Sequence, residues 1–264
     1  MFIREISRIA AIIKHRFSEV VLIVALMIMA QVCAMQAETG GSESFSDKLP
    51  LLSFGIIAAV TSIILSCGFL RSICYEPFHK HLPADLLKIG KSFFWRMVGY
   101  ALLTGVFAVI LLLPIFLIAG KLFAVENSQP EIPGYFFNLS LAVVGLVLFK
   151  PSVFIPAFIL ARDTGVFESL KSLKIFNAGQ VRPVFALFVV QISISFLSSF
   201  LPVSRDKNIM AYYAVTAAVS VIGQILSLMV AVGAVRFVLS LDGRTKDLSK
   251  PDEGNPGNDE DWIS

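Results

Sequence analysis

The chain has 264 residues, of which 56% are hydrophobic and only 16% charged, with a formal net charge of +3. A charged fraction so far below the ~25% of an average soluble domain, with a mean hydropathy of +0.79, excludes a water-soluble globular domain. It points to a polytopic membrane protein of one domain, surrounded by membrane lipids and with no expected nucleic-acid partner.

Residues 1–16 place Phe2, Ile6, Ile9 and Ile13 on one helical face and bring Arg4, Arg8, Lys14 and Arg16 as positive charge. This predicts an interfacial amphipathic helix. The first span is expected at 17–37, with Glu19 near its start, in reach of headgroups or a basic neighbour. A polar, acidic loop (38–48) leads to a second span at 49–70. The basic loop 71–96 contains a second amphipathic helix opened by Pro83. Leu86, Ile89, Gly90, Phe93 and Met97 line one face of it, and Asp85, Lys88, Ser92 and Arg96 another. Trp95 suits the aromatic belt at a membrane interface.

A third span is expected at 97–120, a loop at 121–134 and a fourth span at 135–160. Asp163, Thr164 and Gly165 form a helix-start signal. Val166, Leu170 and Leu173 then share the apolar face of a short surface helix, with Gly179 as its stop. Spans at 183–203 and 209–235 flank a tight loop, 204–208. The expected fold is all-α: residues 1–240 form a six-span membrane domain with about three interfacial helices on one side. Residues 241–264 form a disordered acidic tail, being too polar to offset their ordering entropy. A surface helix followed by a hairpin occurs three times, either as an internal repeat or by convergence on a common insertion pattern.

Charge placement sets the orientation. The N-terminus, 71–96, 161–182 and the tail from Arg236 hold 17 of the 22 Lys and Arg, and the three opposite loops hold 4. Both termini are therefore expected in the cytoplasm. The three cysteines, Cys33, Cys67 and Cys74, suggest free thiols rather than a disulfide framework. No cleavable signal peptide is expected, although Ala34-Met-Gln-Ala37 imitates a cleavage site.

Few residues offer chemistry. Cys74, Glu76, His79 and His81 are metal-ligand types within one loop. Their spacing is no standard zinc site, and the loop reads as solvated. No phosphate loop or nucleophile elbow occurs, and Asn138-Leu-Ser140 is a sequon inside a span. An enzyme and a cofactor are therefore not expected. Lys150 is the sharpest residue, a lysine within a span followed by Pro151, which frees a backbone carbonyl. It either binds an anionic group inside the bundle or is structural. In the structural reading it snorkels to the headgroups, or the helix ends early and 152–160 lies near the interface. The structural reading is preferred because no acidic partner stands out in the spans. In the fifth span Gln191, Ser195, Ser198 and Ser199 share a face. In the sixth, Thr216, Ser220, Gly223, Gln224, Ser227 and Ala231 do so. These stripes are expected to pack together with Gln191 and Gln224 as partners, giving Lys150, Gln191 and Gln224 as a candidate intramembrane polar site.

Residues 148–182 also carry a resemblance. Lys150, Pro156, Gly165, Glu168, Leu170, Lys171 and Gly179 follow the pattern of a basic residue, an apolar run with proline, then Gly-x-x-Glu-x-Leu-basic before a glycine. The segment resembles the membrane domain attached to some bacterial glycerophosphodiester phosphodiesterases and is similar to stand-alone YciC-like membrane proteins. Ala161 and Leu173 stand where that pattern has an acidic residue and a serine. The resemblance implies a multi-pass protein of the bacterial inner membrane, without a catalytic domain, that organises lipids or partner proteins. The alternative is a small transporter or channel with a polar path near Lys150, although a transporter would carry more charge within its spans.

Overall fold

The computed structural model describes residues 2–39, 45–122, 134–175, 178–198 and 209–243. Most of the expected loops 38–48, 121–134 and 204–208, and nearly all of the expected disordered tail, lie outside the described residues. Among those described there is no strand. The helices are α1 (Phe2–His15), α2 (Phe17–Thr39), α3 (Phe45–Ile73), α4 (Pro83–Leu122), α5 (Gly134–Val147), α6 (Phe149–Arg162), α7 (Val166–Ser172), α8 (Ala178–Ser198) and α9 (Ile209–Leu241).

Four stretches are apolar and long enough to cross a bilayer: Phe17–Ala37, Lys48–Ile73, Pro83–Lys121 and Val215–Leu241. They coincide with the expected first, second, third and sixth spans. The expected fourth span, 135–160, is not one straight helix. Asn138–Val147 and Phe149–Arg162 meet at a bend of 55°, and the break at Leu148 lies where the ring of Pro151 clashes with the preceding turn. The expected fifth span corresponds to α8, within which Val181–Leu197 is an apolar stretch shorter than the other four. The described helices thus supply four crossings, or five if the bent pair counts as one, where the sequence led to six.

The amphipathic segments also differ from expectation. The apolar face of α1 does not lie on lipid: Ile9, Ile12 and Ile13 are buried in the core, and α1 packs on α8 and α9. The basic helix expected at 83–96 is the first part of α4, a single helix of 40 residues and therefore about 60 Å long. In the third segment α7 spans 7 residues. Gly165, not Asp163 or Thr164, is its N-cap, because Asp163 closes α6 in the left-handed region at φ 57°. Gly179 lies inside α8 rather than before it.

The buried residues concentrate at the basic end. Ile12, Ile23, Phe69, Ile73, Leu86, Phe158 and Leu239 form one core there. Towards the other end Ile57, Val109, Leu113, Ile118, Leu197 and Ile222 are exposed, and none of the most apolar stretch of α4 is buried. The helices form a sheaf bound tightly at one end. Two glycines allow the tightest crossing: a Cβ on Gly68 would sit 2.0 Å from the Leu86 carbonyl oxygen, and one on Gly90 only 1.8 Å from that of Ile64. α3 and α4 meet backbone to backbone, as small residues permit between membrane helices.

Candidate functional site

The hub of the bound end is α6. A helix apolar on all sides belongs in a core, and Phe154, Ile155, Phe158, Ile159 and Leu160 are all buried. Phe154 stacks edge-on with Phe149 and with Phe237 of α9, at 5.7 and 5.4 Å. Its backbone polar groups need partners. Pro156 has no N–H to give to the Ser152 carbonyl one turn earlier, and the Tyr100 hydroxyl donates to that carbonyl instead, at 2.8 Å. At the C-terminal end the last carbonyls have no helical donor. Arg71 of α3 donates to Leu160 and, at 3.3 Å, to Ala161. The same guanidinium lies over the rings of Tyr75 and Phe93 at 4.8 and 5.2 Å.

A second arginine is buried outright. Arg16, in the turn between α1 and α2, has 0% exposure. Nη1 donates to Ser72 Oγ at 2.7 Å and Nη2 pairs with the Glu19 carboxylate, while the guanidinium covers Phe69 at 4.6 Å. The other Glu19 oxygen accepts the His81 backbone N–H at 3.1 Å. One ion pair thus ties the α1–α2 turn, the end of α3 and the segment leading into α4. Burial, followed by Arg16 and His79, holds the His81 imidazole below its usual range, against the opposing pull of Glu19 and Glu76. Of the two roles expected for Glu19, it takes the basic neighbour. Around this latch run Arg96–Asp163 between α4 and the α6–α7 link, Arg162–Asp242 with two bonds of 2.5 and 3.1 Å, and Arg236–Glu5 at 3.7 Å.

No family model, curated protein or solved structure matches this chain.

Lys150 is exposed on the second residue of α6, just past the break. Its depth follows from two bonds between α4 and α6. Arg96 reaches Asp163 and Tyr100 reaches Ser152. Those anchors are about one turn apart on α4 (~6 Å) but about three turns apart on α6 (~16 Å). The hub helix therefore crosses α4 at a steep angle, and on this projection Lys150 stands roughly 7 Å from the level of the Arg96–Asp163 pair.

Gln191 and Gln224 are half-buried on neighbouring helices, and among the described residues no hydrogen bond joins them to each other or to Lys150. α8 and α9 do pack together. The stripes named from sequence are split, however. Ser195 is exposed and bonds the Gln191 carbonyl of its own helix at 3.1 Å, while Thr216 and Ser220 line a notch shared with α2.

The loop expected to be solvated is half anchored. Cys74 is buried, with its thiol 3.5 Å from the Leu70 carbonyl oxygen, while Glu76, His79 and Lys80 are exposed. Glu76 Oε2 lies 3.9 Å from His79 Nδ1 and 4.0 Å from His81 Nε2. Among the described residues no three His, Cys, Asp or Glu side chains are set to hold a metal.

Outside the latch, Lys88, Lys91 and Trp95 share an exposed stripe of α4, and Phe167, Leu170, Lys171 and Lys174 are exposed on and just after α7. Trp95 is 77% and Phe167 72% exposed. The Arg96–Asp163 pair holds these two elements together. Sequence reasoning found the lysines but not Arg16, Arg71 or Tyr100. The signal for Tyr100 was partial, since Pro156 announces an orphaned carbonyl at Ser152 without saying which side chain answers it.

Proposed function

We propose that this is a non-catalytic, six-span protein of the bacterial inner membrane, with both termini in the cytoplasm, whose latched basic end organises anionic lipids. One observation carries the reading. Exposed Trp95, Phe167 and Leu170 lie beside Lys88, Lys91, Lys171 and Lys174, on elements fixed to each other by Arg96–Asp163. Aromatic rings seat at the headgroup level, and each lysine near an anionic surface contributes about 1 kcal/mol. The rigid latch behind them presents these groups at one depth. The resemblance of 148–182 to membrane domains that accompany enzymes of lipid-derived substrates points the same way, and the 17-to-4 distribution of basic residues supports the orientation.

The test is native mass spectrometry from nanodiscs of mixed anionic and zwitterionic lipid. The wild type should release with anionic lipid bound, and Lys88→Gln, Lys91→Gln, Lys171→Gln and Lys174→Gln combined should remove most of it. Equal retention by the variant would sink the reading. The 55° break beside Lys150 favours a second reading as a transporter, because broken helices line many substrate sites. Substrate-dependent flux in liposomes, lost in Lys150→Leu, would replace the first reading with it.

A further inference from the structure

At the end of the sheaf away from the latch, α2 and α9 lie side by side. Between them lies a notch of about 270 Å³ lined by Ile28, Gln31, Met35, Gln36, Thr216 and Ser220, among others. Its walls are largely apolar, yet four of these residues carry neutral hydrogen-bonding groups. Among the described residues the side chains of Gln31, Thr216 and Ser220 make no hydrogen bond. Such groups do not stay unpaired at membrane depth without cost.

Their depth identifies what could answer them. Counted along α2 from Arg16 in the basic-end latch, Gln31 lies about 22 Å and Gln36 about 30 Å away. The hydrocarbon core is itself about 30 Å thick. The polar side of the notch therefore runs from inside the far leaflet to its boundary, where the ester carbonyls of phospholipids sit. Those carbonyls only accept hydrogen bonds, and amide and hydroxyl groups can donate them. Among the described residues no charged side chain lines the notch, so none of them selects a phosphate or a headgroup. Its volume is too small for a whole lipid and suits the ester region with the first part of one chain.

We propose that this notch binds one diacyl phospholipid of the leaflet opposite the basic end, by its glycerol-ester region and irrespective of headgroup. Gln31, Thr216 and Ser220 donate to the ester carbonyls, and Ile28, Val32 and Met35 line the upper acyl chain. This site is separate from the anionic-lipid surface proposed above, and either can fail without the other.

The experiment starts from full-length protein purified into detergent, with bound phospholipid counted by native mass spectrometry. The variant lacking the four lysines at positions 88, 91, 171 and 174 should still retain one phospholipid per chain, zwitterionic as readily as anionic. Gln31→Leu, Thr216→Val and Ser220→Ala combined should lower that occupancy by about tenfold, the size expected for a few membrane hydrogen bonds. Ala217→Trp should fill the notch and abolish it, whereas Val106→Trp on the open face of α4 should leave it unchanged. Should the notch variants fold poorly, a photo-reactive phenylalanine at Ala217 supplies the readout, giving a phospholipid adduct that survives detergent exchange. The proposal is overturned by any of three results: no lipid retained once the lysines are gone, equal occupancy in the polar triple variant, or photo-cross-linking to a second copy of the chain in place of lipid.

Discussion

The α3–α4 crossing gives the sharpest test of the packing. In Gly90→Ala the new methyl would lie 1.8 Å from the Ile64 carbonyl oxygen, where ordinary contact begins at 3.4 Å. Both atoms belong to helix backbones, so no side chain can rotate aside and the helices must part by about 1.5 Å. A gap of 0.5–1 Å already forfeits about a quarter to a half of each dispersion contact. The contacts at stake include Leu65, Phe69, Leu86 and Phe93, all buried. Overpacking of this kind costs about 1–3 kcal/mol, and a clash between backbones belongs at the upper end. Alanine's better helix propensity returns up to ~1 kcal/mol, leaving a net loss of about 2 kcal/mol. On the soluble-protein scale for this size that lowers the melting temperature by about 4–8 °C. Size-exclusion monitored thermal denaturation in detergent would measure it. Gly68→Ala, with 2.0 Å to the Leu86 oxygen, should behave alike, and the double variant should lose less than the sum because one separation relieves both clashes. Gly105→Ala on the same helix meets nothing within 4 Å and is the control. If Gly90→Ala melts together with Gly105→Ala, the close crossing is wrong.

Arg16→Met strands the buried Glu19 carboxylate and should cost about 3–5 kcal/mol, much of which Glu19→Leu in the same chain should restore; equal losses in the single and double variants would contradict a buried pair. Tyr100→Phe leaves the Ser152 carbonyl without its donor and should destabilise by about 1–3 kcal/mol, read as a lowered melting temperature. His81 is held below its usual pKa of about 6.5, so its contribution is fully present above that pH and is lost as pH falls through the lower folded value. Melting temperature should therefore drop on acidification below pH ~6.5, and His81→Gln should flatten the dependence; an unchanged slope would assign it to other groups. Lys150→Leu should leave folding and anionic-lipid retention intact, because the side chain is exposed and its charge is expensive in a span; failure to insert would reveal an acidic partner.

Hydropathy alone determined that this chain is helical and multi-pass, and it placed four spans close to where the helices run. Those features depend on bilayer thickness and on local apolar length, which a linear reading contains. Local pattern also marked α1 as amphipathic and Pro151 as a disturbance. What covers an amphipathic face is a tertiary matter. Ile9, Ile12 and Ile13 meet α8 and α9 rather than lipid, because parts of the chain more than 150 positions downstream fold back over them. Arg16 looked like a surface charge because it closes a run of basic residues before the first span, although the helical period sets it on the face of Ile9 and Ile13. It is buried because Ser72, Phe69 and Glu19 converge around it from two other segments. The same holds for α6, whose apolar run reads equally as a span or as a core helix. Tyr100, Arg71 and Asp163 supply the partners that let this helix, bent by 55° against α5, sit at the centre of the bound end.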